Sequence, residues 1–292
     1  MSTFRQKKPI RQKKPFRRQT LTIGIAALCT RQEGEKEYGV IIGAADRLIT
    51  IGQGIIAYEA IQKKIHMLTP LIVAIPSGST EINIEVVKRT QESISKDQRI
   101  VSRSVYDVAD LYSQKHEEYI KEIIEKTVLY PRNLNWEDYN NFKYDRDPTW
   151  FINGKIDVFG EENPTSEIII AGIDEQGPAI YNISKGWTRN ENHQGFTTVG
   201  IGGEHARLEF IIGNHSSSSS YTETLLLTYI AKQRANLAAH VGKDTDLFSI
   251  SLKDGYTNLS KELELLTKIH NVFLLKQEKD KYKLYTKVRG II

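Results

Sequence analysis

The chain has 292 residues, enough for one large domain or two small ones, and its hydrophobic share of 39% and charged share of 26% are ordinary for a soluble globular protein. No apolar run approaches the roughly 18 residues of a membrane span, and the basic start lacks the apolar core of a signal peptide, so we expect neither membrane attachment nor secretion. The single cysteine, Cys29, excludes an internal disulfide framework and a cysteine-based zinc site, and it fits the reducing cytoplasm.

The basic character of the chain is concentrated in a tail, residues 1–19. This tail contains four lysines, four arginines and no acid, and it repeats the motif RQKKP at Arg5–Pro9 and Arg11–Pro15. The net charge of +4 therefore divides into +8 for the tail and −4 for the remaining chain. Such a segment cannot bury enough apolar surface to fold alone and is predicted to be disordered. It could be a leader removed during maturation, a targeting peptide, or an arm for nucleic acid or an acidic partner.

The part of the chain that follows the tail is predicted to be mostly sheet. Thr20–Cys29 is rich in β-branched and small residues, which indicates a strand. The charged stretch Thr30–Tyr38 is predicted to be a long hairpin loop. Gly39–Asp46 is apolar on both faces, so it is predicted to be the partner strand in the middle of a sheet. Leu71–Pro76 is predicted to be a third buried strand.

The spacing of apolar residues then changes to that of helices. From Glu81 to Ser95 they recur every three or four positions, which predicts a helix. The same pattern predicts a second, longer helix from Val105 to Val128. Residues 129–165, rich in tryptophan, proline and asparagine, follow no regular period. A lid, an interface insertion and a packed irregular loop remain open for this region.

The second half of the chain repeats the order of strands followed by helices. Ser220 and Glu223 have the spacing of a capping box, which marks the start of a strongly apolar helix. The elements predicted in this half are the strands Glu167–Asp174 and Ala179–Ser184 with a tight turn between them, the strand Gly195–Gly203, the helices Glu204–Ile212 and Leu225–Leu237, the strand Asp246–Leu252, the helix Leu259–His270 and two terminal strands.

This order of elements predicts one α+β domain over residues 20–292, preceded by the tail of residues 1–19. Two antiparallel sheets that pack face to face, with helices outside each sheet, would bury every apolar face once. The predicted fold is therefore a four-layer αββα sandwich of two antiparallel sheets flanked by helices, with an irregular insertion at residues 129–165.

Residues that can support chemistry lie near the ends of the predicted strands. Asp46 ends the central strand, and Lys63 and Lys64 lie on the segment that follows it. A glycine turn at Gly78 ends the third strand. An acid, a lysine and a glycine turn can together support a nucleophile, which a threonine of the first strand could supply. The histidines lack metal-ligand spacing, so no metal site is expected. The sequence also lacks a full nucleotide-binding glycine motif, and no cofactor is expected.

Several motifs, in their order along the chain, resemble the proteasome family of N-terminal-nucleophile (Ntn) hydrolases. They are TLTIGI, GVIIGAADRLIT, EIIIAGIDEQGPAIY and FTTVGIGGEHA, and the resemblance covers roughly residues 20–252. A branch of little-characterised bacterial proteasome-type proteins is similar in further motifs, namely IAALC, ADRLIT, LTPLIVAI and ETLLLTYIAKQRA. The resemblance implies the αββα fold of the Ntn hydrolases and a chain like the proteasome β-subunit.

The resemblance also implies a role for each site residue. In this family a threonine becomes N-terminal when the preceding chain is removed, its hydroxyl attacks a carbonyl carbon, and its own α-amine takes the proton. Asp46 matches the family's acid. Lys64 matches the family's lysine, with Lys63 as the alternative. Gly78 matches the glycine whose N–H binds the oxyanion.

Two threonines compete for the role of nucleophile. Alignment with the first strand of proteasome β-subunits selects Thr20, whereas alignment with the bacterial branch selects Thr22, and we prefer Thr22. Proteasome precursors usually have glycine before the nucleophile, whereas here Gln19 and Leu21 precede the two threonines. Gly203 stands where β-subunits often carry a supporting serine.

The function that the resemblance implies is that of a threonine-type amide hydrolase. Its substrates would be peptides or proteins, and it would work inside a homo-oligomeric ring or other self-compartment in the cytoplasm. One alternative is a non-catalytic structural or gating subunit that keeps residues 1–19. Another is a protein that binds nucleic acid or an acidic partner through the same basic tail, in which case binding would depend strongly on salt.

Overall fold

The structure is a computed structural model, and it describes residues 22–51, 56–59, 63–96, 104–141, 152–156, 166–184, 186–239 and 241–289. The basic tail, Thr20 and parts of the predicted insertion lie outside these residues. The described residues have a mixed α+β architecture with two antiparallel sheets, as the sequence predicts. Within them every helix is too short or too polar to cross a lipid bilayer.

Most strands of the described residues belong to two five-stranded antiparallel sheets. The strands in chain order are β1 (Gly24–Glu33), β2 (Lys36–Asp46), β3 (Leu48–Ile51), β4 (Ile56–Glu59), β5 (His66–Thr69), β6 (Ile72–Ser77), β7 (Glu167–Asp174), β8 (Gly177–Ser184), β9 (Trp187–Asn190), β10 (Phe196–Val199), β11 (Thr245–Ser251) and β12 (Gly255–Asn258). The first sheet has the order β10-β1-β2-β11-β12, and the second has the order β5-β6-β7-β8-β9. Strands β3 and β4 form a separate hairpin.

The helices fall into the two groups that the sequence predicts. In chain order they are α1 (Thr80–Lys96), α2 (Val105–Ile124), α3 (Trp136–Asn140), α4 (152–156), α5 (Gly203–Ile212), α6 (Tyr221–Ala235) and α7 (Leu263–Arg289). Helix α2 continues into one π-helical turn and a 3₁₀ turn that ends at Arg132. Ser220 and Glu223 form the predicted capping box at the start of α6. The described part of residues 129–165 is thus partly helical rather than wholly irregular.

Three buried apolar clusters show how these layers are stacked. One lies between the two sheets and includes Ile75, Ile169 and Phe248. A second joins the outer face of the first sheet to α5, α6 and the start of α7. A third joins the outer face of the second sheet to α1 and α2. The order of layers is helices, sheet, sheet, helices, which is compatible with the predicted αββα sandwich.

The first hairpin is longer than the sequence predicts. Strands β1 and β2 pair along their whole length, so the predicted loop Thr30–Tyr38 is wrong. The turn has only two residues and begins at Gly34, whose φ of 63° suits glycine. Charged residues can extend a strand where their charges pair, and here Glu33 contacts both Arg31 and Lys253 at the exposed end of the hairpin.

The C-terminal part of the chain differs most from the prediction. Two terminal strands are predicted, but α7 continues to Arg289, so that prediction is wrong. The apolar run at residues 272–275 has the composition of a strand, yet residues 263–289 contain no glycine or proline and include six lysines and two glutamates, which favour helix. Strand β12, which pairs with β11, is not predicted.

Other boundaries shift by a few residues. Regular strand geometry in β1 begins at Gly24 among the described residues, whereas Thr20, where the predicted strand starts, lies outside them; β10 ends at Val199, so that the glycine turn starts at Gly200. These two strand ends lie at the same end of the two-sheet core, because Gly24 lies opposite Val199 in the sheet. Asp46, the last residue of β2, lies opposite Thr245, the first residue of β11, at the same end. Thr22, two residues before Gly24, and Asp46 therefore lie at the same end of the core.

Candidate functional site

The hydroxyl of Thr22 lies between a lysine and a carboxylate. Thr22 precedes β1 by two residues and is 4% exposed. Its Oγ1 accepts a hydrogen bond from Lys64 Nζ at 2.6 Å and donates a short one to Asp46 Oδ1. Lys64 Nζ also donates to the same carboxylate oxygen at 2.9 Å. The three side chains form a closed triangle of hydrogen bonds, which we call the Thr22–Asp46–Lys64 triangle.

The carboxylate of Asp46 is held from several sides. It is fully buried, and Oδ1 accepts the N–H of Ile23 at 3.2 Å in addition to the bonds from the triangle. Oδ2 accepts the N–H groups of Leu48 at 3.3 Å and Gly242 at 2.9 Å. Three backbone donors and the ammonium of Lys64 replace the water that this charge loses on burial. The carboxylate is therefore fixed in position.

The structure distinguishes the two adjacent lysines that the sequence offers. The side chain of Lys64 is 17% exposed, and its ammonium reaches both Thr22 and Asp46. Lys63 is exposed to solvent. Of the two candidates, Lys64 is the one whose ammonium lies at the threonine hydroxyl.

A glycine turn packs against the backbone of Thr22. Gly200 follows β10 with a φ of 86°, and a Cβ at this position would lie 2.3 Å from the carbonyl oxygen of Thr22. The same carbonyl accepts the N–H of Gly202 at 3.3 Å. The carboxylate of Glu167, at the start of β7, accepts the N–H of Gly200 at 3.1 Å. Position 200 thus requires glycine, and the turn fixes the main chain that carries the hydroxyl.

A loop that the sequence analysis does not single out supports Asp46 from the far side. Gly242, whose N–H donates to Asp46 Oδ2, accepts through its carbonyl a 2.8 Å bond from Lys232 Nζ. Lys232 is fully buried in α6, and its ammonium also donates to Asn236 Oδ1 at 2.6 Å. The sequence does contain one signal for this support, a lysine inside the apolar helical pattern TYIAKQRA. Lysine is almost never fully buried without partners, so Lys232 could have been predicted to have them.

Gly78 lies in a tight turn at the end of β6. Its φ is 112°, and a Cβ there would lie 3.0 Å from both Cα and Oγ of Ser166. The hydroxyls of Ser77 and Ser166 are buried and have no hydrogen-bond partner among the residues that the structure describes. No hydrogen bond among the described residues joins Gly78 to the Thr22–Asp46–Lys64 triangle, so its predicted role as an oxyanion donor stays a prediction.

The sequence leaves Thr20 and Thr22 as alternatives, and the geometry bears on Thr22 alone, since Thr20 lies outside the described residues. Gly203, where proteasome β-subunits often carry a serine, donates its N–H to the carbonyl of Gly200 at 2.9 Å. Its own carbonyl accepts a 3.0 Å bond from the hydroxyl of Thr198. A threonine hydroxyl therefore lies beside the residue at that position.

The arrangement can raise the reactivity of one hydroxyl. The ammonium of Lys64 would stabilise an alkoxide that forms at Thr22 Oγ1, and Asp46 keeps that ammonium in place. The α-nitrogen of Thr22 becomes a base only when its peptide bond to Leu21 is broken. Among the described residues, no group of three His, Cys, Asp or Glu side chains could hold a metal ion.

Comparisons with known proteins leave the site to be interpreted from its own chemistry. No protein-family model matches the chain, and no curated protein matches it. A functional conclusion therefore rests on the geometry of the Thr22–Asp46–Lys64 triangle together with the motifs of the sequence.

Proposed function

We propose that this protein is a threonine-type amide-bond hydrolase of the Ntn kind, most simply a peptidase that acts on peptides or proteins. The observation that carries the proposal is the Thr22–Asp46–Lys64 triangle at one end of the two-sheet core. The proteasome-like motifs support the same fold family and the same reaction. A self-compartment built from several copies is the setting that this resemblance implies.

The proposed reaction starts with Thr22 as the N-terminal residue. Its α-amine, with an ordinary pKa of about 7.7–8.0, takes the proton of the hydroxyl while Oγ1 attacks the carbonyl carbon of the substrate. The tetrahedral intermediate then loses its amine, which leaves with that proton, and an ester on Thr22 remains. Water gives a proton to the α-amine, attacks the ester and restores the hydroxyl.

The neighbouring residues lower the energy of the charged species in this sequence of steps. Lys64 donates to the oxygen that becomes negative, and Asp46 offsets the charge of the lysine. The resemblance to the proteasome family is the basis on which we assign the N–H of Gly78, in the turn at the end of β6, to the oxyanion. A single such donor contributes roughly 3–4 kcal/mol in comparable sites.

Removal of the basic tail is the step that would switch the site on. In the uncut chain the α-nitrogen of Thr22 is part of an amide with Leu21 and cannot accept a proton. Cleavage between these two residues would create the amine and release residues 1–21, with all eight cations of the tail.

Intact mass and N-terminal sequencing of the purified protein test the proposal directly. We expect a new terminus at Thr22 and hydrolysis of a library of fluorogenic peptides. Thr22→Ala should remove both, whereas Thr20→Ala should leave both. A form produced with Thr22 already at its N-terminus separates the hydrolysis from the cleavage, because it needs no maturation.

Three results would point elsewhere. A new terminus at Thr20 would move the nucleophile two residues upstream. A stable uncut chain, together with an inactive form that begins at Thr22, would contradict the hydrolase and favour a structural or gating subunit that keeps its tail. Binding of nucleic acid that falls steeply with salt and disappears when residues 1–19 are deleted would favour the basic-arm alternative.

A further inference from the structure

Helix α6 contains a fully buried lysine, Lys232, in its last turn. Burial removes an ammonium from water at a large cost, and an apolar side chain of similar size would fill the same space without that cost. A cation at this end of a helix is favourable for the helix dipole, but Arg234 provides one from the surface in the same turn. Neither packing nor the dipole therefore requires a buried lysine, and its contacts indicate what the ammonium does.

The contacts of Lys232 lie at and beyond the C-terminal end of α6. Its Nζ donates at 2.6 Å to Oδ1 of Asn236, the residue that caps the helix. It also donates at 2.8 Å to the carbonyl oxygen of Gly242. Gly242 is buried in the connection between α6 and β11. The ammonium therefore attaches this connection to the helix that it leaves.

Gly242 joins this cation to the carboxylate of the candidate site. Its carbonyl accepts the bond from Lys232, and its N–H donates to Asp46 Oδ2 at 2.9 Å. This is the shorter of the two backbone bonds to Oδ2. Oδ1, the other oxygen, accepts the bonds within the Thr22–Asp46–Lys64 triangle. The two oxygens belong to one rigid carboxylate, so a shift of Gly242 would move both.

The same connection also packs against the turn that holds the main chain of Thr22. A Cβ at Gly202 would lie 3.0 Å from Cβ of Ala235, the last residue of α6, and 3.1 Å from Cγ2 of Val241. The N–H of Gly202 donates to the carbonyl of Thr22 at 3.3 Å. The end of α6 and the residue before Gly242 therefore support the site at a second point, beside the nucleophile.

We propose that Lys232 is a positioning residue for the reaction at Thr22, an inference that rests on the proposed hydrolase. Lys232 fixes Gly242, and Gly242 fixes the carboxylate of Asp46. That carboxylate in turn holds the Lys64 ammonium at the attacking hydroxyl. A small displacement of a group that acts in the transition state slows a reaction strongly, even when its cause lies away from the reacting atoms. Because Lys232 acts through the far oxygen of Asp46, it should affect the rate of the chemical step rather than the binding of substrate.

The first test is the steady-state kinetics of the form that begins at Thr22. Lys232→Met, which keeps most of the side-chain volume, should lower kcat roughly 10-fold and leave KM within about two-fold. Lys232→Gln should lose less than Lys232→Met, because its amide can still donate a hydrogen bond to the connection. Circular dichroism of each variant checks that the fold is kept.

Arg234→Met is the matched control for these variants. It removes a cation from the same turn of α6, but the side chain of Arg234 is 49% exposed and pairs with Glu209 at 2.7 Å on the surface. Both kcat and KM should stay unchanged. An equal fall of kcat in Arg234→Met and Lys232→Met would mean that any change in this turn slows the reaction, and it would overturn the specific role of Lys232.

The second test combines Lys232→Met with Asp46→Asn. If Lys232 acts through Asp46, the double variant should react as slowly as Asp46→Asn alone, because the carboxylate that Lys232 positions is already absent. Single-turnover rates of the form that begins at Thr22 are the measurement. A further loss of roughly 10-fold in the double variant would mean that the two residues act independently, which contradicts the proposal.

The third test follows Gly242 itself by NMR and needs no activity. An amide proton that donates to a carboxylate in a short hydrogen bond resonates at low field. The Gly242 signal should therefore move to higher field in Lys232→Met, in the uncut chain as well as in the form that begins at Thr22, and it should keep its position in Arg234→Met. An unmoved signal in Lys232→Met would show that the lysine does not hold Gly242 against Asp46.

The outcomes separate this proposal from the hydrolase. Failure of the wild-type form that begins at Thr22 to hydrolyse any peptide would contradict the hydrolase, and a catalytic role for Lys232 with it. An active wild type whose kcat is unchanged in folded Lys232→Met would overturn the positioning role alone. A raised KM with an unchanged kcat would also overturn it, because the lysine would then act on substrate binding.

Discussion

Two buried aspartates on neighbouring strands are paired with different cations. Asp46 ends β2 and Asp246 is the second residue of β11, and both are almost completely buried. Arg47 donates two hydrogen bonds, of 3.0 Å and 2.5 Å, to the carboxylate of Asp246. Asp46 instead shares a lysine with a hydroxyl, in the Thr22–Asp46–Lys64 triangle.

The two sites differ in whether the cation keeps a hydrogen-bond donor for a third group. A guanidinium in two-point contact uses both carboxylate oxygens and binds its partner in one fixed geometry. The ammonium of Lys64 has three donors, and one of them points at Thr22 Oγ1. Burial and charge pairing alone therefore do not mark a reactive site, since Asp246 has both. A third group that can react distinguishes Asp46 from its neighbour.

The strongest test of this comparison replaces each aspartate by asparagine. Asp46→Asn should lower the hydrolysis rate of the form that begins at Thr22 by roughly 10³-fold, a loss of about 4 kcal/mol of transition-state stabilisation, because the carboxylate that holds the Lys64 ammonium at the reacting hydroxyl is removed. The same variant in the uncut chain should stop cleavage before Thr22. Steady-state rates and intact mass are the measurements.

Asp246→Asn is the matched control for that experiment. It should keep the hydrolysis rate within a few-fold, because Asp246 contacts Arg47 and no member of the triangle. Equal loss of activity in the two variants, with both folded, would mean that Asp46 acts only as a structural residue.

The adjacent lysines provide the next comparison. Lys64→Met should lower the hydrolysis rate on the order of 10²-fold and leave the chain folded, since methionine keeps most of the apolar stem. Lys63→Met should change nothing, because Lys63 is exposed. The ratio of the two rates for the form that begins at Thr22 is the measurement. A reversed ranking would transfer the proposed role to Lys63.

Local patterns in the sequence are sufficient to predict the strand end at Asp46, the helices α1 and α2, and the capping box at Ser220. Each depends on residues a few positions apart, where alternation, helical spacing and capping act. The resemblance prefers Lys64 to Lys63, but local patterns alone treat two adjacent lysines alike, and the contact of the Lys64 ammonium with Thr22 is visible only in the structure.

The support of Asp46 by Gly242 could not be predicted from local patterns. These residues are 196 positions apart and meet because β11 pairs with β2. The error at α7 has a different origin. Its exposed apolar run has the composition of a strand, and the lysines around it favour helix, so short-range preferences conflict in a segment that is exposed from residue 271 to residue 286.

The ion pair of Asp246 should matter for stability instead of activity. Asp246→Asn should lower the free energy of unfolding by roughly 1–3 kcal/mol, because a buried charge pair is broken while Arg47 can still regain some water. The side chain of Arg47 is 27% exposed, and this limits the loss of stability in Asp246→Asn. Chemical denaturation of this variant beside Arg47→Met, which leaves the carboxylate buried, should show the larger loss for Arg47→Met. Equal stability of Asp246→Asn and wild type would mean that the pair is energetically neutral.

A third buried ionisable group, Cys29 on β1, forms no ion pair with the other described residues, and it extends the comparison to the effect of pH on stability. Its thiol donates to the carbonyl of Val40 at 3.5 Å, and burial raises its pKa from 9.0 to about 12. The raised pKa means that the folded chain keeps a proton that the unfolded chain releases, so stability is full below pH 9 and falls as the pH rises toward 12. The slope should approach about 1.4 kcal/mol per pH unit in this window.

Cys29→Ala should lack this slope, and the difference between the two unfolding curves at pH 8 and pH 10 measures it, because other groups titrate equally in both chains. Parallel curves would show that the thiol ionises as readily in the folded chain as in the unfolded one.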